Sequence, residues 1–525
     1  MTPQAAQTAP AFARSASPDA RADRLDFRPS PGGDRTPPLK PHADALDEGF
    51  LRDVALGAVR VSPEQALRLY REAPLLTLGR YADLRARTLH GDRIRTYVID
   101  RNINYTNVCN AKCTFCAFRR DGHEHDAYTL EHTQIFEKIS ELVAIGGTQI
   151  LMQGGMNPAL PLEWYEDLLR GIKSRFPHVH VHGFSPPEFI EFVHFFDPPG
   201  ATLEDKLRHV MSRLRAAGLD SLPGGGGEIF AGPVRRKIGL GKCDADAWLT
   251  TMWVAHTLGM FTSATMMFGH IEGAADRVHH MMLVRQWQDR ALGRSGRVAE
   301  WSSGQVLDAN TASGTRPLDH STTQPLGHYK AFISWPFQRE NTPLGRLKEW
   351  GQQPSELGEP FPGDVVANLM GDGNASAHKE FGRRLKMSGS TDYLRTQALS
   401  RLVLDNIYSI GASWVTMGPH IGQVALHFGA TDMGSVMMEE NVVSSAGTTY
   451  CLNEPVICRL IRTAGFIPAQ RDNSYDLLKV HNGPTSPDLK VEDWSKHRAK
   501  KLHQQAVRED KKADARVELT TSVTN

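Results

Sequence analysis

Three cysteines fall within eight consecutive positions of this 525-residue chain. They are Cys109, Cys113 and Cys116, in the run CNAKCTFC. Closely spaced thiolates suit a soft metal, and zinc or an iron–sulfur cluster is the usual occupant. A zinc site normally takes a fourth ligand, but Cys243, Cys451 and Cys458 are single and far apart. Three grouped cysteines most naturally leave one metal position open for chemistry, although a structural zinc site or a chance grouping is the alternative.

The cysteines follow a run of β-branched, aromatic and apolar residues that predicts a buried strand. From there strand-like and helix-like segments alternate, which predicts eight parallel strands with helical connections. The predicted strands are 97–106, 148–152, 179–184, 219–222, 261–268, 329–335, 410–416 and 424–428. We therefore predict an α/β fold, a (β/α)8 barrel of the triosephosphate isomerase (TIM) type, whose chemistry lies at the carboxyl ends of its strands.

Glycine and polar residues follow the ends of these predicted strands. The candidates are Gln153, Gly154, Gly155, Ser185, Glu228, His270 and Asp432. Missing side chains at Gly154 and Gly155 let backbone groups approach a ligand. Each candidate has a plainer alternative: Glu228 could cap a helix and His270 could be a hydrogen-bonded core histidine. Because successive strands all end in such groups, we expect them to meet at one site.

The remaining chain divides by composition. Residues 1–45 are rich in Pro, Ala, Ser, Asp and Arg and predict a disordered extension. Residues 46–96 predict a helical segment, with Ser62 and Gln65 forming a capping box. Residues 97–475 form the predicted barrel, with polar surface insertions near 294–326 and 349–390. Residues 476–525 predict a charged tail.

Charge and hydropathy exclude several classes of protein. The chain has 60 basic and 59 acidic residues, a formal net charge of +1, which argues against recognition of nucleic acid by bulk charge. No apolar run approaches the ~20 residues of a membrane helix. Thiols that bind iron need a reducing compartment, so we predict a cytoplasmic protein.

The C-x3-C-x2-C spacing, with Phe115 just before the last cysteine, resembles the signature of radical S-adenosylmethionine (SAM) enzymes. The resemblance implies that Cys109, Cys113 and Cys116 hold three irons of a [4Fe–4S] cluster and that SAM chelates the fourth. It also implies contacts from the chain to SAM. Gln153, Gly154 and Gly155 would contact its methionyl amino group, Ser185 is a further candidate, and Phe115 would pack near its adenine.

Longer segments are similar to the radical SAM enzymes of the futalosine pathway of menaquinone biosynthesis. They include TQILMQGGMNP (148–158), AGLDSLPGGGGEIF (217–230) and DMGSVMMEENVV (432–443). The resemblance is closest to the cyclase branch, in which a 5′-deoxyadenosyl radical abstracts the ribose C4′ hydrogen of dehypoxanthine futalosine. The family usually has Ala at the position of Gly227, a difference that we expect to be harmless.

The cyclase resemblance leaves some roles open. Glu228, His270 and Asp432 are candidates for taking the final proton. An electron carrier such as flavodoxin or ferredoxin is the expected partner. Aminofutalosine synthase of the same pathway is the alternative enzyme, and a non-catalytic iron–sulfur or zinc protein is the alternative from another class.

Overall fold

The computed structural model describes residues 46–90, 93–294, 327–367, 379–448 and 450–497. Three helices begin the described chain: α1 (Glu48–Leu56), α2 (Pro63–Glu72) and α3 (Leu75–His90). Helix α2 begins with the predicted capping box. The Gln65 N–H donates to Ser62 Oγ at 3.2 Å, and the Ser62 N–H donates to Gln65 Oε1 at 2.9 Å. These two bonds satisfy backbone donors that the first turn leaves without helical partners.

Twelve strands lie within the described residues. They are β1 (Ile94–Val98), β2 (Asp100–Ile103), β3 (Gln149–Met152), β4 (His180–Gly183), β5 (Thr262–Phe268), β6 (Tyr329–Pro336), β7 (Lys348–Glu349), β8 (Arg384–Leu385), β9 (Ser409–Gly411), β10 (Asp432–Ser435), β11 (Ile467–Arg471) and β12 (Leu477–Val480). They form a 7-stranded sheet in the order β12-β11-β1-β10-β9-β6-β5, a 3-stranded sheet in the order β2-β3-β4, and the pair β7-β8.

The two larger sheets are joined at both sides. Strand β1 leads directly into β2, while single parallel bridges link His182 to Ser221 and Leu222 to Thr262. Neighbours can therefore be followed from β2 through β3, β4, residues 221–222, β5, β6, β9 and β10 back to β1, and every step between them is parallel. Only β12 runs antiparallel to its neighbour in these sheets.

Helices connect the strands and bury one face against them. They are α4 (His132–Ala144), α5 (Leu162–Arg175), α6 (Pro186–Phe196), α7 (Leu203–Ala217), α8 (Gly232–Ile238), α9 (Ala245–Thr257), α10 (Ala274–Ala291), α11 (Pro362–Val366), α12 (Ser390–Val403), α13 (Trp414–Met417), α14 (Pro419–Ala425), α15 (Val442–Ser445) and α16 (Glu454–Thr463). In α7, Leu207, Val210, Met211 and Leu214 are buried at helical spacing. No helix in the described ranges is both apolar and long enough to cross a membrane.

The last two predicted strands differ from the structure. Residues 424–428, predicted as the eighth strand, form the end of α14 and the turn after it; the strand is β10. A short apolar run does not distinguish a strand from a buried helical turn. The helix signals were present, because Pro419 stands at the first helical position and Gly429, at φ 90°, follows the turn. The predicted seventh strand is likewise shorter, and its end is helix α13.

The segments outside the predicted barrel also differ in part. Within the predicted insertion 349–390, Phe361, Phe381 and Leu385 are buried, and the Lys386 N–H donates to His270 O at 2.8 Å. This segment therefore packs against the strands' ends. In the predicted tail 476–525, β12 pairs with β11, so the sheet extends into it. The predicted extension 1–45 and most of the insertion 294–326 lie outside the described residues.

Candidate active site

A cavity of about 500 Å³ lies among the parallel strands and their following loops. This volume is in the range of small-molecule sites. Ten residues that the sequence singled out line it together. They are Cys109, Cys113, Phe115, Cys116, Gln153, Gly154, Gly155, Ser185, Glu228 and Asp432. His270 does not line the cavity, so the structure brings together all of the predicted site residues except that one.

Backbone hydrogen bonds from three other segments position the cysteine loop. The Cys109 N–H donates to Arg120 O at 3.1 Å. Further along, the Lys112 N–H donates to Leu240 O at 2.8 Å, the Thr114 N–H donates to Ile238 O at 2.8 Å, and the Leu344 N–H donates to Thr114 O at 2.7 Å. All three thiols are free and partly buried. Within the described ranges, no group of three or more His, Cys, Asp or Glu side chains has the arrangement of a site for one metal ion.

A cation lies beside the thiols. Burial raises the pKa of Cys113 to about 12, and the charge of Lys242 acts in the opposite direction. Burial raises the pKa of Cys109 as well. The Lys242 Nζ lies 2.9 Å from Glu228 Oε1 and 5.0 Å from the centre of the Phe115 ring. A positive charge at this position favours thiolate over thiol, which is the form that binds metal.

The two glycines after β3 allow close packing against the cysteine loop. A Cβ on Gly155 would lie 2.1 Å from Val108 O and 3.0 Å from Cys109 Cβ. A Cβ on Gly154 would lie 2.5 Å from the ring of Tyr105. Neither position has room for a side chain, because backbone or a buried ring occupies the space. The sequence predicted that a ligand would approach the backbone at these glycines. In the structure, other residues of the chain already pack closely against both of them.

Glu188 joins the loops after β3 and β4. Its carboxylate accepts hydrogen bonds from the Tyr105 hydroxyl at 2.7 Å, the Gly154 N–H at 3.1 Å, the Ser185 N–H at 2.7 Å and the Ser185 hydroxyl at 2.6 Å. Burial raises the pKa of Glu188, and these four bonds oppose that shift. Sequence reasoning assigned Glu188 no role. The available signal was its place three residues after Ser185, the spacing of a capping box.

Asp432 is bonded to other protein groups. It forms two bonds with the Arg471 guanidinium, at 2.6 and 3.0 Å, and accepts one from the Gly434 N–H at 2.7 Å. The Thr96 hydroxyl donates to it as well. Asp432 also begins β10, whereas the sequence placed it after a strand. Because parallel strands share direction, this position is at the end of the cavity remote from the cysteines.

His270 lies in the core, as the plainer alternative predicted. It is fully buried, and its Nδ1 lies 2.9 Å from Glu272 Oε2. Arg277 Nη2 reaches the other Glu272 oxygen at 2.7 Å. Burial alone would raise the pKa of Glu272, but His270 and Arg277 hold it well below its ordinary value. The ionised Glu272 thus fixes His270 in a buried network instead of leaving it at the cavity.

One wall of the cavity is polar and carries unsatisfied oxygens. Alternate residues of β2, β3 and β4 face inward, and Asp100, Asn102, Gln149 and His182 line the cavity. Asn102 Oδ1 and Gln149 Oε1 are buried with no hydrogen-bond partner in the described chain. Buried polar atoms are normally satisfied, so this wall has capacity for a polar ligand. Apolar side chains from later strands, among them Met267, Ile333 and Trp335, also line the cavity.

Two parts of the chain match known families. Residues 103–284 match the radical SAM superfamily, and residues 374–483 match the CofH/MqnC C-terminal region. Over 426 residues the chain is 36% identical to a cyclic dehypoxanthine futalosine synthase of Halalkalibacterium halodurans, covering 81% of this chain and 94% of the relative. The chain is a radical SAM enzyme of the CofH/MqnC family.

Relatives of this radical SAM enzyme with other names are nearly as similar. A 5-amino-6-(D-ribitylamino)uracil–L-tyrosine 4-hydroxyphenyl transferase of Methanopyrus kandleri is 32% identical to this chain. The alignment covers 84% of this chain and 95% of the transferase. An aminodeoxyfutalosine synthase of Thermus thermophilus is 33% identical, and the alignment covers 85% of this chain and 98% of the synthase. Among solved structures, the [FeFe]-hydrogenase maturase HydG superposes with a TM-score of 0.52 at 13% identity, covering 82% of this chain and 77% of HydG. That likeness concerns the fold alone.

Radical SAM enzymes use a [4Fe–4S] cluster and SAM, and these are the cofactors of this enzyme. The cavity suits both groups. The three thiols provide the soft sulfur donors that iron–sulfur clusters take, and the adjacent Lys242 cation favours the ionised form that binds metal. The loop after β3 brings backbone groups, without intervening side chains, against the cysteine loop. The donor chemistry and the space beside it therefore fit the cofactors of the family.

Proposed function

We propose that the enzyme converts dehypoxanthine futalosine to cyclic dehypoxanthinyl futalosine in menaquinone biosynthesis. The observation that carries this proposal is the 36% identity over nearly the whole of a cyclic dehypoxanthine futalosine synthase. A second relative of the same name, from Streptomyces coelicolor, is 35% identical over 437 residues. Thiol chemistry of this kind requires reducing conditions, so we place the reaction in the cytoplasm.

The cysteine end of the cavity is the proposed cofactor site. We assign Cys109, Cys113 and Cys116 as cluster ligands, and residues 153–155 as contacts of the methionyl group of SAM. Phe115 would pack near the adenine, and Ser185, which donates two hydrogen bonds to Glu188, would support this site. When bound, the cluster and SAM supply the 5′-deoxyadenosyl radical that abstracts the ribose C4′ hydrogen. The chain's own part is to bind, orient and exclude water.

The polar wall is the proposed substrate site. Gln149 lies four residues before Gln153. At about 3.3 Å per strand residue, it is roughly 13 Å further from the cysteine end of the cavity than Gln153 is. A substrate held at this wall also reaches the Glu228 side of the same cavity, where the Met267 N–H donates to Glu228 O at 3.2 Å. Side-chain amides of Asn102 and Gln149 can hydrogen-bond ribose hydroxyls, whereas Met267 and Trp335 offer apolar surface to the aromatic ring. A ligand with a sugar and a benzoate ring matches both surfaces.

Of the three candidates for the final proton, Glu228 fits the site best. It lines the cavity, and its charge interacts with Cys113, so it lies at the cysteine end. Its ion pair with Lys242 holds its carboxylate in place. His270 is away from the cavity, and the Asp432 carboxylate already accepts hydrogen bonds from three residues. We therefore propose Glu228 as the proton acceptor.

We also propose that the parallel strands close a (β/α)8 barrel around the cavity. The neighbour order that returns from β10 to β1 supports this, as does the single parallel bridge on each side of residues 221–222. When β1 and β2 are counted as one strand and residues 221–222 as another, the ring has eight parallel members. Eight is the number of strands in a TIM-type barrel. The barrel then begins at Ile94, three residues before the predicted domain boundary.

Replacement of Glu188 should weaken SAM binding without removing iron. A Gln at this position keeps one acceptor oxygen and adds an N–H group, so two of the four donors lose their acceptor. An unsatisfied buried donor costs about 1–3 kcal/mol, and where this cost falls on the arrangement of the loops that binds SAM, the Kd for SAM rises by roughly fivefold or more. Glu188→Gln is compared with Glu163→Gln, whose carboxylate is exposed. Calorimetry with SAM and iron analysis of both proteins check the result, and an unchanged Kd would contradict it.

An anaerobic assay distinguishes the proposed reaction from its closest alternative. Reconstituted enzyme is given SAM and reductant with dehypoxanthine futalosine, or with the enol-ether substrate of aminofutalosine synthase. We expect turnover of the first, with one 5′-deoxyadenosine released per product. Covalent capture of the adenosyl group in product from the second would favour aminofutalosine synthase, whose Thermus relative matches over 98% of its length. Protein with zinc in place of iron would favour the non-catalytic alternative.

A further inference from the structure

A cluster of hydrogen-bonded side chains lies at the polar wall of the cavity, beside β4. Two imidazole nitrogens are 2.6 Å from Ser221 Oγ, namely His180 Nε2 and His182 Nδ1. The Asn473 Nδ2 donates to Ser221 Oγ at 2.8 Å and lies 2.8 Å from His180 Nε2. Ser221 is 1% exposed, so bulk water does not compete for its hydroxyl. We call Ser221, His180 and Asn473 the Ser221 cluster.

The Ser221 cluster holds the His182 ring through one nitrogen only. Nδ1 is bonded to Ser221, whereas no residue in the part of the chain that the structure describes bonds Nε2. His182 lines the cavity, and its Nε2 is not sealed in the interior. Burial, with His180 and Arg471 nearby, lowers the pKa of His182 to about 3, so the imidazole is neutral at physiological pH. Nε2 is therefore a neutral hydrogen-bonding group held in place before a ligand arrives.

Two unsatisfied oxygens lie on the same part of the wall. Asn102 on β2 pairs with Leu151 on β3, and Leu151 pairs with His182 on β4. Asn102 and His182 are thus level with each other, two strand spacings or about 10 Å apart at their backbones. Asn102 Oδ1 is buried without a partner, as is Gln149 Oε1 one inward position away along β3. The Gln149 Nε2 donates to Asp100 at 3.0 Å, which leaves Oε1 as the group still to be satisfied.

We propose that His182 is a substrate-binding residue whose Nε2 hydrogen-bonds the 2′- or 3′-hydroxyl of the substrate ribose. The Ser221 cluster supplies the positioning residues for its ring. A hydroxyl both donates and accepts, so it can bond Nε2 in either tautomer while its neighbour donates to an amide oxygen. The benzoate carboxylate only accepts hydrogen bonds, so it cannot satisfy Gln149 Oε1. The inference rests on the proposed function, because it assigns the ribose of that substrate to this part of the wall.

The Ser221 cluster joins the two family regions of the chain. His180, His182 and Ser221 lie within residues 103–284, which match the radical SAM superfamily, whereas Asn473 lies within the CofH/MqnC C-terminal region at 374–483. Asn473 also lines the cavity, two residues after the end of β11. The orientation of the His182 ring therefore depends on how the two regions pack together.

Side chains of matched shape test the role of His182. The amide of Gln reaches the position of the histidine Nε2, whereas the amide of Asn reaches that of Nδ1. His182→Gln thus keeps the substrate contact, and His182→Asn keeps only the bond to Ser221. Calorimetry of the holoenzyme with SAM and dehypoxanthine futalosine, without reductant, gives each Kd. We expect Kd for the substrate to rise about fivefold or more in His182→Ala and His182→Asn and to change little in His182→Gln. His178→Ala, an exposed histidine before β4, is the control and should match wild type.

Deoxy substrates separate a direct contact from a general loss of shape. Wild type should bind the 2′-deoxy or the 3′-deoxy substrate about fivefold more weakly, and His182→Ala should show no further loss with that analogue, since the hydroxyl has already lost its partner. Ser221→Ala should reduce this coupling while the iron content and the Kd for SAM stay at wild-type values.

The possible outcomes separate this inference from the proposed function. Equal Kd values in wild type and His182→Ala would overturn the inference, as would losses that add fully for both deoxy substrates. Wild-type turnover of dehypoxanthine futalosine is measured in parallel with reductant. A wild type that neither binds nor converts this substrate would contradict the proposed function, and the inference with it, whereas normal turnover with an unaffected His182→Ala would contradict the inference alone.

Discussion

Alanine substitution of any one of Cys109, Cys113 and Cys116 should abolish SAM cleavage and lower bound iron well below the wild-type value of about four per chain. All three thiols line the same cavity, and none of the other three cysteines does. The cluster has no spare protein ligand to replace a lost one. Without a bound cluster there is no source of the electron that cleaves SAM, so the expected loss of activity is complete.

The other cysteines supply matched controls. Cys243, Cys451 and Cys458 lie outside the cavity lining, and alanine at each should leave iron content and SAM cleavage close to wild type. Cys458 is fully buried, so its variant can lose some stability through a small cavity while keeping its iron. Anaerobic reconstitution, iron and sulfide analysis and 5′-deoxyadenosine formation check both sets. Iron loss in a control, or a normal cluster in Cys113→Ala, would refute the ligand assignment.

Asp432→Asn should destabilise the whole protein by about 3–5 kcal/mol, because it leaves the buried Arg471 charge without its counter-ion. Both side chains are at least nine-tenths buried, and their two bonds are 2.6 and 3.0 Å long. Arg471 belongs to β11 and Asp432 to β10, on either side of β1 in the sheet. The ion pair therefore connects three strands, and its loss should lower the midpoint of urea unfolding.

A surface ion pair provides the control for Asp432→Asn. Glu204 and Arg208 face each other on α7 at 3.3 Å, and their side chains are 44% and 40% exposed. Glu204→Gln should change stability by less than about 1 kcal/mol. Equal stability of Asp432→Asn and wild type, together with a lost rate of product formation, would instead support the role in proton transfer that the sequence allowed for Asp432.

Local signals in the sequence were sufficient to predict the cysteine loop and much of the order of the helices and strands. The C-x3-C-x2-C spacing and the glycines after β3 are short-range features, and the structure places them at one cavity. Capping signals were equally local, and α2 begins at Pro63 after its predicted cap. Where a prediction depended only on neighbouring residues, it was generally right.

Partners that are distant along the chain could not be read from the sequence. Asp432 is paired with Arg471, and Glu188 is bonded to Tyr105, 83 positions away. The structure instead places His270 in the buried network of Glu272 and Arg277. Conversely, the run 424–428 had strand-like composition and formed a helix end, because burial in a short apolar segment does not select one conformation. Tertiary contacts decide the first kind of case, whereas Pro419 and Gly429 were local signals for the helix in the second.

Deuterium at C4′ of dehypoxanthine futalosine tests the central claim most directly. The cavity must hold the ribose so that C4′–H lies within about 3–3.5 Å of the adenosyl C5′, the spacing of a near-attack arrangement. Turnover of the labelled substrate should therefore give 5′-deoxyadenosine that carries one deuterium, alongside the cyclised product. Unlabelled 5′-deoxyadenosine formed with efficient cyclisation would contradict hydrogen abstraction at C4′ and with it the proposed reaction.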